Sequence, residues 1–133
     1  MFHITTKFDY GLILLRSLAE RSARGPISLK IIAREHHLPY HYLAQIATPL
    51  KTAGIITSRE GVHGGYELAR KPSRITLKEV SAILVSGKKG DKCLLDDGGV
   101  CRKKDGCSVS PWWGTFNRRF QRLLQKTTIA DLI

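Results

Sequence analysis

The stretch ISLKIIAREHHLPYHYLAQI, residues 27–46, decides the fold of this chain. Ser28 is placed to cap a first helix, in which apolar residues recur at the i, i+3, i+4 spacing. A short turn through Pro39 follows, and a second helix then presents a continuous apolar face. The two apolar faces consist of Leu29, Ile32 and Ala33 in the first helix and of Leu43, Ile46, Ala47 and Leu50 in the second. Two short helices joined by a tight turn predict a helix-turn-helix.

The opposite face of the second helix is polar and aromatic, which suits contact with nucleic acid. Gln45 has the amide that pairs bidentately with adenine, and its neighbours have the reach for bases or phosphates. The predicted DNA contacts on this helix are Tyr40, His41, Tyr42, Gln45 and Lys51. Pro49 predicts a kink or an early helix end near Thr48, because a proline inside a helix costs about 3 kcal/mol. A helical hairpin in an all-α protein would have a similar pattern, so the next segment is decisive.

A β-hairpin is predicted directly after this pair of helices. Residues 55–59 (IITSR) have strand composition, residues 60–65 (EGVHGG) form a turn, and residues 66–68 (YEL) return. A hairpin in this position is the wing of a winged helix, and a tip of this size fits a minor groove. The predicted DNA contacts of the wing are Arg59 and His63, and the basic residues at its base are Arg70, Lys71 and Arg74.

Capping signals predict where the other helices begin. Thr6 is the predicted cap of the first helix in the chain, which is apolar enough to be central to the core. Thr76 and Glu79 form a capping box, in which Thr76 caps the helix and Glu79 reaches back to it. Thr128 and Asp131 predict a last short helical turn.

All three cysteines, Cys93, Cys101 and Cys107, lie in one polar loop, CLLDDGGVCRKKDGC at residues 93–107. A buried cysteine normally sits among aliphatic side chains, whereas this loop is rich in glycine and charge. The glycines let the backbone fold back, so that three thiolates converge on a metal ion or an iron–sulfur cluster. Reactive surface thiols, or a disulfide with one spare thiol, are the alternatives. The odd cysteine count argues against a disulfide framework.

A long last helix carries an aromatic stripe. Ser110 is its predicted cap, with Pro111 at the first helical position. The stripe consists of Trp112, Phe116, Phe120, Leu123 and Leu124, while Arg118, Arg119, Arg122 and Lys126 lie mostly off it. A stripe this far from the first core needs another surface, and the same helix of a second subunit would supply it. A homodimer is therefore predicted, with packing of the helix on its own domain as the alternative.

The composition indicates a polyanionic partner. Lys and Arg number 22 against 11 Asp and Glu, which gives a formal net charge of +11. Residues 1–75 and residues 76–133 are both basic, so the excess belongs to the folded protein rather than to a tail. Duplex DNA is the predicted partner, ahead of an acidic membrane surface. The start of the chain has no signal pattern and no apolar run is long enough to span a bilayer, so a cytoplasmic protein without a membrane partner is expected.

The whole chain resembles the Rrf-two family of winged-helix transcription regulators, in particular its iron–sulfur members of the IscR, NsrR and RirA types. The matching segments are residues 6–12, 27–46, 61–66, 76–83 and 128–132, together with the three cysteines. The wing and the cysteine trio together are fairly specific, whereas either one alone would be weak.

The resemblance implies a homodimer joined through the last helix, with a cluster near the dimer interface that controls affinity for a double-stranded DNA operator. It implies an iron–sulfur cluster on Cys93, Cys101 and Cys107, with 4Fe–4S favoured over 2Fe–2S. Asp9 matches by position the aspartate that ligates the cluster in some NsrR proteins, where it comes from the partner subunit. The alternative for Asp9 is that it only complements the positive end of its helix.

The chain departs from the family pattern at several positions. Glu60 stands where an arginine is common before the wing glycine, and Ser110 stands where IscR-like proteins have a histidine. Pro39 replaces a common capping serine, and Ala44 replaces a glutamate of some members. These changes bear on the operator sequence and on the ligand set more than on DNA binding itself.

The predicted architecture is mainly α with a small β-hairpin wing. Residues 1–75 form a winged helix-turn-helix DNA-binding domain, and residues 76–133 form a cluster-binding loop and dimerisation helices. The predicted function is an iron–sulfur-dependent transcription repressor that senses redox state, nitric oxide or iron and cluster status. A DNA-binding regulator with a structural zinc on the three cysteines is one alternative. A redox protein or electron carrier is another, although no nucleotide loop and no acid–base constellation supports an enzyme.

Overall fold

The computed structural model describes residues 5–85 and 106–133, and helices dominate both stretches. The first helix, α1, spans Thr6–Glu20 and contributes a full face to the core. Thr5 caps this helix, since its side-chain oxygen accepts a hydrogen bond from the backbone N–H of Phe8 at 3.2 Å. The predicted cap, Thr6, is wrong by one residue. Thr6 already has helical backbone, whereas Thr5 has the extended conformation that a cap requires.

Two helices and a hairpin follow α1. Helix α2 spans Leu29–Glu35, and helix α3 spans Tyr40–Thr52. Strand β1 spans Ile56–Arg59 and pairs antiparallel with strand β2, which spans Gly65–Leu68. The predicted helix-turn-helix and its hairpin are therefore confirmed, with each strand boundary within one residue of the expectation. Short 3₁₀ turns at Ser22–Arg24 and Pro72–Arg74 lie on either side of this unit.

The sequence predicted a kink or an early helix end near Thr48. Helix α3 continues through Pro49 to Thr52, so the early end is wrong. The turn beyond the proline is closed by the Ala53 N–H, which donates to the Pro49 carbonyl at 3.0 Å. Leu50 is fully buried in the same turn. Burying a leucine side chain stabilises by about 1.5–3 kcal/mol, which is comparable with the proline penalty of about 3 kcal/mol. Core packing therefore offsets the local preference.

Helix α4 spans Leu77–Leu84 and has the predicted cap. The Thr76 side-chain oxygen accepts a hydrogen bond from the Glu79 N–H at 3.2 Å. The carboxylate of Glu79 does not complete the predicted box, and it accepts instead from the Arg70 guanidinium at 2.6 Å. Hydrogen bonds between charged groups are stronger than those to a neutral amide, so the Glu79 carboxylate pairs with the Arg70 guanidinium. This ion pair ties α4 to the segment that follows β2.

Helix α5 spans Ser110–Lys126. Ser110 is its first residue rather than its cap, so this predicted cap is also wrong by one residue. Val109 occupies the cap position and makes no side-chain hydrogen bond there. Pro111 still lies in the first turn, where its missing N–H has no intrahelical partner to lose.

The end of the chain returns to the start of α4. The Ile129 N–H donates to the Ile75 carbonyl at 2.9 Å, and Ile129 is fully buried. A 3₁₀ turn at Ile129–Leu132 completes the predicted last turn. Asp131 accepts hydrogen bonds from the backbone N–H of Thr128 at 2.7 Å and from its hydroxyl at 2.9 Å. These hydrogen bonds, the backbone one first, hold the pKa of the Asp131 carboxyl below its ordinary value.

One hydrophobic core unites these elements, with buried residues from α1, α2, α3, β1 and α4 and from the end of the chain. The predicted fold class, mainly α with a small β-hairpin, is confirmed. Within residues 5–85 and 106–133, no helix combines the length and the apolar content needed to cross a bilayer.

Candidate nucleic-acid interface

The turn between α2 and α3 sets the angle of the second helix. His37 has a positive φ of 54°, a conformation that histidine tolerates better than most residues with a side chain. The Leu38 N–H then donates to the Ala33 carbonyl at 2.8 Å and closes α2. The buried residues of α3, Leu43, Ile46, Ala47 and Leu50, are each 0% exposed, as the sequence predicted. The opposite face of α3 is therefore the one turned to solvent.

Polar contacts fix α2 to α1 and were not predicted from the sequence. Arg21 donates from one nitrogen to both carboxylate oxygens of Glu35, at 2.7 and 2.6 Å. This hydrogen-bonded pair lowers the pKa of Glu35 below its ordinary value. The Nε2 atom of His36 lies 3.0 Å from the hydroxyl of the buried Ser17. That hydroxyl also donates to the Ile13 carbonyl at 2.8 Å, and the His36 tautomer with its hydrogen on Nε2 complements this arrangement.

An aromatic pair anchors the start of α3. The ring of Tyr42 meets the ring of Tyr10 from α1 edge-to-face, with centroids 5.6 Å apart. Tyr42 is half-buried and packs against the core, so only part of its side chain is available to a ligand. Of the predicted α3 contacts, Tyr42 is therefore the one most committed to the fold.

The other predicted contacts on α3 are exposed together. Tyr40, His41, Gln45 and Lys51 all lie on the solvent side of the helix. Thr48 and Thr52 share this face, but their hydroxyls donate to backbone carbonyls of the same helix at 3.1 Å. These two hydroxyls therefore use their hydrogen atoms within the helix, whereas Gln45 projects between them and the start of the helix. Its amide is exposed in the middle of this face.

Lys30 joins this surface from α2. Its Nζ lies 5.7 Å from the centroid of the Tyr40 ring, within range of a cation–π interaction. The His41 ring is next to Tyr40, with centroids 5.5 Å apart. Sequence reasoning missed Lys30, because its link to Tyr40 depends on the angle between two helices.

Tyr66 and Ile27 hold the wing against the rest of the domain. The Ile27 N–H donates to the Tyr66 carbonyl at 2.9 Å, and the Tyr66 N–H donates back at 2.8 Å. Gly65 makes this close approach possible, because a Cβ there would overlap the backbone of Ile27. Its φ of +151° also disfavours any residue with a side chain. The wing is therefore docked through its second strand.

The tip of the wing carries His63 and Val62 in exposed positions, and Val62 is 97% exposed. Arg59, the predicted cation of the wing, is not free. Its Nε donates to the Oε1 atom of Glu67 at 2.8 Å. At the base, Lys71 and Arg74 are exposed, whereas Arg70 is paired with Glu79.

Helix α5 leaves its aromatic stripe largely uncovered. Trp112 is 57% exposed, Phe116 is 42% exposed and Leu123 is 58% exposed, whereas Leu124 is buried. The rings of Trp112 and Phe116 stack at 5.4 Å, and those of Phe116 and Phe120 at 6.4 Å. An apolar row of this kind, with its rings already aligned, has the character of an interface. Between Ser110 and Lys126 the helix has no acidic residue.

The predicted metal ligands are only partly within the described residues. Cys107 is half-buried one turn before α5, and Asp9 is exposed in the first turn of α1. Cys93 and Cys101 lie outside the described residues. Within residues 5–85 and 106–133, no three His, Cys, Asp or Glu side chains come together in a way that could hold a metal ion.

Comparison with protein families gives a match over residues 4–133 to Rrf2, described as an iron-dependent transcriptional regulator. The chain is 33% identical over 129 residues to CymR of Bacillus subtilis, a transcriptional regulator, covering 97% of this chain and 88% of CymR. It is 32% identical to protein rrf2 of Nitratidesulfovibrio vulgaris, covering 98% of this chain and 86% of that protein. It is also 26% identical to the regulator IscR of Serratia proteamaculans, covering 98% and 78%.

Solved structures agree with these sequence matches. CymR, the global cysteine regulator of B. subtilis, superposes with a TM-score of 0.80 at 32% identity, covering 99% of this chain and 96% of CymR. IscR of T. potens superposes with a TM-score of 0.77 at 29% identity, covering 98% of this chain and 85% of IscR. These relatives are transcriptional regulators and not enzymes, as the sequence predicted.

Proposed function

Because this chain belongs to the Rrf2 (Rrf-two) family of winged-helix, DNA-binding transcriptional regulators, we propose that it is a repressor controlled by an iron–sulfur cluster. The cluster, of the 4Fe–4S type, would be held by Cys93, Cys101 and Cys107. Membership of the family makes the redox-enzyme alternative unnecessary. The finer assignment depends on the sensing loop of this chain.

The single observation that carries the cluster assignment is the donor set. Three cysteines fall within the glycine-rich segment 93–107, and cysteine thiolates are the ligands of iron–sulfur clusters. Cys107, the one described member, is half-buried directly before α5. A cluster there would supply a charge that changes with redox state or nitric oxide. Loss of the cluster would then free its cysteine ligands, and this change would have to reach α5 and the DNA-binding surface.

The proposed DNA contacts divide by role. Gln45 reads a base edge, and Lys51 neutralises a phosphate from the end of the same helix. Tyr40, His41 and the exposed part of Tyr42 fix the entry of α3 into the major groove. In the wing, His63 lies at the tip and Arg59 on the strand that leads to it. Two such surfaces in a homodimer would read half-sites about one helical turn apart.

Dimerisation through α5 links the sensor to this reading. The exposed row of Trp112, Phe116 and Leu123 would be covered by the same row of a partner subunit. Cys107 lies three residues before Ser110, the first residue of α5, so ligation of Cys107 would act at the start of the proposed interface helix. A change in ligation would then alter the spacing of the two reading surfaces.

Asp9 is the proposed fourth ligand. Its carboxylate is exposed in the first turn of α1, where it is accessible to a group supplied by another subunit. A carboxylate oxygen is a harder donor than a thiolate, so its bond to iron is expected to be the labile one. Ligation would also couple the cluster to the helix against which α3 packs.

Purification without oxygen tests the proposal. The protein is expected to be brown, with iron and acid-labile sulfide in comparable amounts. Cys93→Ala, Cys101→Ala and Cys107→Ala should each strip or destabilise the cluster, while Ser110→Ala, which removes a nearby oxygen donor, should keep it. Retention of the full visible spectrum in all three cysteine variants would disprove the assignment. For Asp9→Ala, an unchanged spectrum and an unchanged DNA response would remove Asp9 from the ligand set.

A second candidate function follows from the likeness to CymR. The identity to CymR is 33%, against 26% and 29% for the IscR proteins of S. proteamaculans and T. potens, and CymR is described as a global cysteine regulator. In that case the chain would control genes of cysteine metabolism and its thiols would carry no cluster. Colourless protein without iron or sulfide would favour this candidate, and stoichiometric zinc in the same preparation would favour a structural zinc on the three thiolates.

A further inference from the structure

The wing is acidic although the chain as a whole is strongly basic. From Ile56 to Leu68 the only Lys or Arg is Arg59, which stands against Glu60 and Glu67. The formal net charge of the full chain is +11. A hairpin with more carboxylates than cations repels phosphates unless its arginine acts independently of them.

Arg59 does not act independently. Its Nε donates to Glu67 Oε1 at 2.8 Å, a distance typical of a charged hydrogen bond. The side chain of Arg59 is 68% exposed, whereas that of Glu67 is only 24% exposed. Both residues belong to the hairpin, but the less exposed side chain of Glu67 is the more firmly held of the two. The carboxylate therefore draws the arginine back along the hairpin.

We infer that Glu67 is an affinity-determining residue for DNA, because it neutralises Arg59 and withholds it from phosphates. The inference rests on the proposed placement of the wing against DNA. A phosphate that approaches the wing meets either a paired arginine or the carboxylate beside it. Arg59 binds DNA only after its ion pair with Glu67 breaks, so the wing adds little general attraction. Affinity then depends more on the contacts of α3.

Glu67→Gln tests this inference, because the amide keeps the shape of the side chain and removes its charge. The probe is a labelled duplex of mixed sequence of roughly 30 base pairs, long enough for two half-sites. The variant is expected to bind about fivefold more tightly per subunit, the factor that corresponds to an exposed ion pair of about 1 kcal/mol. The log–log salt slope should steepen by about 0.9 for each phosphate that a released Arg59 neutralises.

Glu20→Gln is the matched control. It also removes one negative charge and one exposed ion pair, Arg16–Glu20 at 2.9 Å, but from α1 rather than from the wing. Glu67→Gln must exceed this control in both affinity and salt slope. Adding Arg59→Gln must abolish the gain, so that the double variant binds no more tightly than Arg59→Gln alone.

Three outcomes would overturn the inference. The first is equal binding by Glu67→Gln and Glu20→Gln, and the second is a gain that survives in the Arg59→Gln, Glu67→Gln double variant. The third is weaker binding by Glu67→Gln at unchanged thermal stability, which would mean that Glu67 orients Arg59 toward DNA. In each case the proposed placement of α3 against DNA would still stand, provided that the parent protein binds DNA and that Gln45→Ala loses sequence discrimination. Failure of the parent protein to bind any duplex would instead overturn both this inference and the proposed function.

Discussion

The two apolar faces of α3 and α5 have opposite fates in a single chain. In α3 the four inward residues are fully buried, and the polar face opposite them is free for a ligand. In α5 only Leu124 is buried, while Trp112, Phe116 and Leu123 remain in contact with solvent. The winged helix-turn-helix thus has a core that is complete within one chain. The last helix is complete only if a second surface covers it.

The charges of the two helices differ in a related way. Helix α3 presents one lysine among uncharged polar groups, which suits recognition by hydrogen bonds. Helix α5 has four cations and no acid, next to an uncovered aromatic row. This teaches that amphipathicity alone does not identify a core. The apolar face of a helix is a core only when the same chain brings elements to cover it.

The largest expected effect comes from disrupting the exposed aromatic row of α5. Phe116→Asp combined with Leu123→Asp should convert the proposed dimer to monomers. Each apolar side chain removed from an interface costs about 1.5–3 kcal/mol, and the change occurs in both subunits. Sedimentation velocity measures the result. Gln125→Asp, on the exposed polar side of α5, introduces one negative charge of the same kind and should leave the proposed dimer intact. A stable dimer in the double variant would show that this row is not the interface.

The next effect concerns how the wing is docked on the winged helix-turn-helix. Gly65→Ala should destabilise the protein by about 3 kcal/mol or more, because the new Cβ overlaps the Ile27 backbone at an already unfavourable φ. Gly61→Ala is the matched control, since Gly61 also has a positive φ, +115°, but faces open space. Thermal unfolding compares them. Equal losses would mean that backbone strain, not the contact with Ile27, makes glycine necessary at position 65.

A smaller effect sharpens the division of labour along α3. Gln45→Ala should lose about 1–3 kcal/mol of discrimination between the preferred operator and mixed-sequence DNA. Lys51→Ala should weaken binding to all sequences alike and reduce the salt slope by about 0.9 per phosphate contact. Binding titrations at several salt concentrations, with an operator selected from random duplexes, distinguish the two. Full discrimination in Gln45→Ala would show that α3 is not the reading helix.

The smallest effect concerns the end of the chain, which packs back against the start of α4. The lowered pKa of Asp131 means that its carboxylate stabilises the folded state above the ordinary pKa of 3.8, and that this contribution is lost as the pH falls through the lower folded value. Asp131→Asn should therefore melt at a lower temperature than the parent protein near neutral pH. The difference should shrink below a pH of about 4. A constant difference across that range would exclude the carboxylate as its source.

Much of the fold follows from local sequence patterns. The helix-turn-helix, the wing and the cap at Thr76 were predictable, because each depends on residues a few positions apart. The inward face of α3 was also correct in every residue, since helical periodicity alone assigns it. Two predicted caps, Thr6 and Ser110, were each one residue late, because several hydroxyl groups or adjacent residues satisfy the same local pattern.

Contacts between elements were decided only by the tertiary structure. Glu79 pairs with Arg70 instead of completing its own capping box, because the fold brings a charged partner close to it. Glu67 likewise pairs with Arg59 across the hairpin. Pro49 remained inside α3 because burial of Leu50 offsets the penalty of the proline. The sequence thus determined which side chains have the chemistry that the proposed DNA contacts and cluster ligands require. The fold determined which of those side chains are already engaged, since that depends on distances between residues far apart in the chain.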